Sequence, residues 1–333
     1  MKKWKSKLIL ALLLGLAVYA AMTFFGQAND VGSAFLKFDL TVIPLVLSLS
    51  LFNFAMRFLR WQYYLRVMGI SLSIKESLLI NNSAFALAIT PGKIGDLLKS
   101  FYLKKTKNIA YAQSAPIIFV ERITDLLGMI ILAGLGMLGM GISGGSGGSG
   151  DSGMYLGIIG AVCLGVALVL SMPKVALPLI RKIEKIPKIG KFAKAAEEAY
   201  LVCGNLLKPQ RLLFASLAAA LAWFFECVGL YYVFGGLGVS LSLSSAVFIY
   251  AFASLIGAIS MLPGGLGGQE ATMTGYFILL NISSGIAVAA TMLIRFMTLW
   301  FAVAVGVIFW LMLAKSKLVQ FDKLDQLVQL EKT

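Results

Sequence analysis

The chain has 333 residues, of which 59% are hydrophobic and 13% charged, against about 25% charged in a soluble domain. It contains no His and three well-separated Cys, at 163, 203 and 227. That excludes His-based acid–base chemistry, hydrolase triads, zinc-binding spacings and a disulfide framework. The 29 Lys and Arg against 15 Asp and Glu read, in so apolar a chain, as basic loops on one side of a bilayer rather than a nucleic-acid surface.

In chain order, a basic start (Met1–Lys7) leads into an apolar run, Leu8–Phe25, read as an uncleaved first helix because it exceeds a signal-peptide core. Further spans are expected at Leu40–Leu65, Ser114–Ile142, Met154–Met172, Leu212–Phe234 and Gly285–Leu313. Each is long enough to cross a bilayer core at about 1.5 Å of rise per residue. Two other apolar stretches are interrupted. Ile74–Leu103 breaks at Thr90-Pro91-Gly92-Lys93-Ile94-Gly95-Asp96, and Phe248–Leu280 breaks at Leu262-Pro263-Gly264-Gly265-Leu266-Gly267-Gly268. Gly144–Gly150 is a flexible Gly/Ser linker resembling an engineering scar. Pro173–Gln210 is basic and amphipathic, and is expected along the membrane surface.

The chain repeats itself. Gly69–Ile74 matches Gly238–Leu243, Pro91–Gly95 matches Pro263–Gly267, and Arg122-Ile-Thr124 is echoed by Arg295-Phe-Met297, at offsets of 169, 172 and 173 residues. Matches in one order at nearly one offset indicate duplication. With the N-terminus placed in the cytoplasm and both breaks treated as re-entrant, cytoplasmic segments hold 24 of the 29 Lys and Arg, as the positive-inside rule requires. The expected fold is therefore an all-α polytopic membrane protein of two inverted repeats, each with three transmembrane helices and one re-entrant Pro-Gly hairpin. The first repeat covers 1–142, an external Gly/Ser-rich loop 143–153, the second repeat 154–315 with its basic interfacial segment 173–210, and a cytoplasmic tail 316–333.

Broken backbone at membrane depth is tolerated where it lines a cavity or is buried in protein, and in inverted-repeat transporters it marks the substrate site. This singles out Pro91, Gly92, Lys93, Gly95 and Asp96 in the first break. It singles out Pro263, Gly264, Gly265, Gly267 and Glu270 in the second. A helix should begin just after each break, offering an N-terminus to an anionic group. Charges inside apolar runs form the other signal. Glu121 and Asp125 share one helical face, with Arg122 beside them and Asp96 as its expected partner. Arg295 has no acid near it in sequence, and Glu270 is its natural partner. Arg57 and Glu226 occupy corresponding places in the two repeats and are expected to pair structurally. Arg57, Arg60, Trp61, Tyr63, Tyr64 and Arg66 read as an aromatic and basic belt at the interface.

Taken together, Arg60-Trp61, the Pro91/Gly95/Asp96 hairpin, the Glu121-Arg122-x-x-Asp125 helix, the Pro263-Gly-Gly-x-Gly-x-x-Glu270 hairpin and Arg295 resemble the lysylphosphatidylglycerol synthase transmembrane-region family, or flippase-like domain proteins. The best-known relative, the multiple peptide resistance factor, fuses such a domain to a soluble aminoacyltransferase. This chain ends shortly after its last helix, so the transferase is expected to be missing. The resemblance implies a lipid flippase, with anionic, aminoacylated or polyprenyl-phosphate-linked lipids as partners. The alternatives are an intramembrane headgroup transferase or a partner subunit of a lipid or glycolipid synthase. No catalytic constellation, Walker motif, metal site or cofactor is expected. Nucleic acid is not an expected partner, a homo-oligomer is admitted, and the location is the cytoplasmic membrane.

Overall fold

The computed structural model describes residues 15–90, 95–141 and 193–316, with Met154 and Gly157 as isolated helical positions. Among the described residues all regular structure is helical. The first helix is α1 (Gly15–Phe25). It is followed by α2 (Ala28–Lys37) and α3 (Val42–Val67), then α4 (Ile74–Ser83), which tightens into a 3-10 turn over Ala84–Leu87. After the first break come α5 (Leu98–Lys107) and α6 (Tyr111–Gly139). The remainder comprises α7 (Ala193–Leu206), α8 (Pro209–Gly236), α9 (Leu243–Ile259), a 3-10 turn at Pro263–Gly265, and α10 (Gly268–Leu279). The last helix, α11, runs over Ser284–Lys315 and carries a π-helical turn at Phe296–Trp300.

Three of these helices, α3, α8 and α11, are long and apolar enough to cross a membrane. Helix α6 has 29 residues but carries Glu121, Arg122 and Asp125 in its interior. The chain is a multi-pass membrane protein, and many large apolar side chains, such as Phe52, Leu135, Leu138 and Leu217, point outward. Where residues are described, expected spans and observed helices end within a few residues of each other; residues 8–14, most of Met154–Met172, the Gly/Ser linker and residues 173–192 of the basic segment lie outside the described residues. Helix α2 was not expected.

The order of long helix, interrupted helix, short return helix, long helix occurs twice, as α3–α6 and as α8–α11. Local stereochemistry repeats with it. The first long helix of each set ends at a left-handed glycine, Gly69 (φ 68°) and Gly238 (φ 71°). The interrupted helix begins at a serine N-cap, where Ser73 accepts from Glu76 N–H and Ser242 from Ser245 N–H. The return helix ends near a left-handed asparagine, Asn108 (φ 56°) and Asn281 (φ 61°).

The two sets interlock. Helices α3 and α8 pack along each other, and Asn53 Nδ2 donates to the Ala222 carbonyl at 2.8 Å, across 169 residues of sequence. That separation equals the first repeat offset, so each of these two positions meets its own counterpart. The interrupted helix of each set lies against the last helix of the other: α4 on α11 and α9 on α6. Glycines allow the close approach, a common device in lipid where small residues let backbones meet. A Cβ on Gly136 would lie 2.9 Å from Phe248 Cβ, and one on Gly306 would run into the backbone of Phe85 and Ala86. Helix α9 is apolar and almost wholly buried, as expected of a helix without a polar face. Within the basic segment, α7 turns Val202, Cys203 and Leu206 into the protein against α6.

Candidate functional site

The first charged cluster is built on α6. Glu121 and Asp125, one turn apart, both lie buried. Asp125 Oδ1 meets Arg60 Nη2 at 2.7 Å, and Glu121 Oε2 meets Lys99 Nζ at 2.9 Å. Arg122 is shared: its Nη2 is 3.1 Å from Asp125 Oδ2 and 3.3 Å from Asp96 Oδ2. Arg60 also donates to Thr124, and the Lys99 ammonium lies 4.7 Å from the Trp61 ring centroid. Three bases and three acids from α3, the first return arm and α6 thus form one electroneutral network. Arg122 is its most accessible member, with 22% of its side chain exposed against 1% for Arg60. On the break itself, Thr90 Oγ1 accepts from Gly95 N–H at 2.8 Å and closes the turn. Pro91, Gly92 and Lys93 lie outside the described residues.

The second cluster is smaller and tighter. Arg295, on α11, uses all three guanidinium nitrogens on the second break. Nε donates to Glu270 Oε1 at 2.6 Å, Nη1 to Gln269 Oε1 at 2.8 Å and Nη2 to the Gly264 carbonyl at 2.7 Å. Glu270 Oε2 accepts from Gly267 N–H at 2.7 Å, so the N-terminus of α10 is capped by a carboxylate of its own chain. Gly264, Gly265 and Gly267 all have positive φ, which a side chain would strain. Gln269 is held in turn by donating to Ser254 Oγ at 2.9 Å. Directly after Arg295 the helix widens into its π turn, a feature frequent at functional positions. Ser50, on α3, donates to the Met297 carbonyl there at 2.8 Å.

The structure brings together both expected clasps, Arg122 with Asp96 and Arg295 with Glu270. Each joins the last helix of a set to the return arm of the same set, at nearly the same sequence separation. Arg57 and Glu226, expected to pair, instead take separate neighbours. The Arg57 guanidinium lies over Phe85, 5.2 Å from the ring centroid, and Glu226 Oε2 accepts from Tyr250 OH at 2.6 Å. The expected belt of Arg57, Arg60, Trp61, Tyr63, Tyr64 and Arg66 is corrected for three of its members: Arg60, Trp61 and Tyr64 turn inward against α4 and α6 and are among the most buried side chains, while Arg57, Tyr63 and Arg66 are not buried. Sequence reasoning places Arg60 in the belt rather than in a charged cluster, and does not assign Lys99, Gln269 or Tyr250 to a site. The signal available for Lys99 and Gln269 was their place on the return arms, within three residues of Asp96 and beside Glu270.

The family model described as the lysylphosphatidylglycerol synthase TM region matches residues 12–306. A UPF0104 membrane protein of Pyrococcus horikoshii is 21% identical over 90% of this chain and 95% of its own length. One of Methanocaldococcus jannaschii is 25% identical over 70% of this chain and 95% of its own. One of Methanothermobacter thermautotrophicus is 37% identical over 89 residues, 27% of each chain, so that match spans about a quarter of the relative's length. The matched span takes in both clusters and both breaks.

Proposed function

The chain belongs to the lysylphosphatidylglycerol synthase transmembrane-region family, and from that premise we propose that it moves lipids across the membrane as a flippase. The observation that carries this reading is the pair of clasps. Arg122–Asp96 and Arg295–Glu270 each tie a broken return arm to a long helix, at corresponding places in a duplicated architecture. In the proposed arrangement the two sets are inverted repeats in the membrane, their breaks are re-entrant hairpins opening on opposite faces, and both termini are cytoplasmic. Breaks of this kind near the midplane are where inverted-repeat carriers bind substrate.

The two clasps are unequal, which supports different roles for them. Arg295 is saturated by its own chain and holds the second break shut. Arg122 is divided between two carboxylates through a buried Nη2 and keeps another part of its side chain exposed, so an anionic headgroup can approach and compete for it. A phosphate reaching Arg122 takes the place of Asp96 and frees the first return arm, while the tails stay in the bilayer. Substrates on this reading are anionic or aminoacylated phospholipids or polyprenyl-phosphate-linked lipids. The protein's role is transport rather than headgroup chemistry.

Purified protein in liposomes carrying fluorescent phospholipids or labelled polyprenyl phosphates tests the proposal. We expect lipid movement by the native chain and about a tenfold loss in Arg122→Ala, since losing one charged contact of about 1.4 kcal/mol amounts to that factor. Arg122→Lys should retain part of the activity. No movement of any lipid by well-folded protein would overturn the proposal, and conversion of a headgroup would replace it with a transferase.

A further inference from the structure

We propose that the cleft between α1, α10 and the start of α11 is a binding slot for one hydrocarbon chain of a bilayer lipid. It has a volume of about 420 Å³ and is lined by Val18, Met22, Ala271, Gly275, Ile278 and Val288, among others. That volume falls in the range of about 300–1,000 Å³ typical of small-molecule sites. The cleft follows α10 from Gly267 to Ile278, about 16 Å of helix. Phe25 and Ile278 are exposed at its far end.

Its wall offers nothing to a headgroup. Glu270 closes the inner end, but its two oxygens already accept from Arg295 and from Gly267 N–H. Thr274 is hydrogen-bonded to Thr291 at 3.2 Å. What remains is apolar surface, where water gains no hydrogen bonds and a chain gains dispersion contacts. Gly275 keeps the slot open: a Cβ there would meet no atom within 4 Å. Through Glu270 the slot adjoins the Arg295 clasp, so chain occupancy is positioned to bear on the second break. This inference gives the tail of the proposed substrate a place and rests on that reading. Occupancy, however, is measured without transport, so the two can fail separately.

The test uses the full chain in phosphatidylglycerol vesicles doped with a phospholipid bearing a photoactivatable diazirine near its acyl terminus. Adducts are mapped by mass spectrometry. We expect labelling concentrated on residues 18–25 and 267–278, and a drop of about tenfold in Gly275→Leu, which fills the slot. Ala271→Met, a second filling variant at an exposed position, should act alike, while Gly134→Leu on α6, where a Cβ also meets open space, should change nothing. Labelling of Leu135 and Leu138 as strong as that of the cleft would mean ordinary bilayer contact and overturn the proposal. Undiminished adducts in both filled variants, or cross-linked dimers in place of lipid adducts, would do the same.

Discussion

Arg295 makes three hydrogen bonds to one turn and its return arm while only 5% of its side chain is exposed. Removing one member of such a buried pair leaves the other charge stranded, at about 3–5 kcal/mol. Arg295→Ala should therefore lower the melting temperature in detergent sharply. Arg295→Lys, which cannot span the three acceptors, should fall between it and the native chain; equal melting of Arg295→Ala and the native chain would remove the clasp from the structural account. Outside the spanning helices, Glu76 caps α4. The Ser73 backbone N–H and then the Lys107 charge hold its carboxyl below the usual range. A depressed pKa stabilises the folded state above the ordinary carboxyl value and is lost as pH falls through the lower one. Melting temperature should thus decline below about pH 4.3, and that acid-dependent part of the decline should be absent in Glu76→Gln. The two clasp partners were legible in the sequence because an intramembrane charge demands an opposite one and each return arm offers few acids. Arg60 was not, since its burial depends on α6 crossing the end of α3, which no local pattern encodes.

At the level of helices, the breaks depend on close crossings between the two sets. Gly306 brings α11 against the backbone of Ala86 and Phe85, and Gly136 brings α6 against Phe248. Gly306→Leu should push α11 off the 3-10 turn at Ala84–Leu87 and lower both stability and lipid movement, whereas Gly134→Leu on the open face of α6 should leave both unchanged. Thermal melting and the liposome assay read these outcomes; a fully active Gly306→Leu would show the crossing to be dispensable. Apolar length gave the long helices within a few residues, because spanning a bilayer fixes length strongly. The tightening of α4 into a 3-10 turn and the π turn after Arg295 were invisible, since both answer to neighbours, Gly306 and Ser50, that lie far away in sequence.

For the whole molecule, repeated motifs pointed to a duplication, and the structure adds the matched left-handed residues, the serine caps and the Asn53–Ala222 contact between corresponding positions. Whether the sets run in opposite directions is a question about the membrane. It is answered where the return arms end. Lys107, the last residue of α5, and Ser283, after α10, are exposed and lie close to the matched Asn108 and Asn281. In a cysteine-free background, Lys107→Cys and Ser283→Cys are to be treated with a membrane-impermeant maleimide on intact cells and again after permeabilisation. The inverted arrangement predicts that Ser283→Cys labels from outside and Lys107→Cys only once the membrane is opened. Labelling of both from the same side would contradict it.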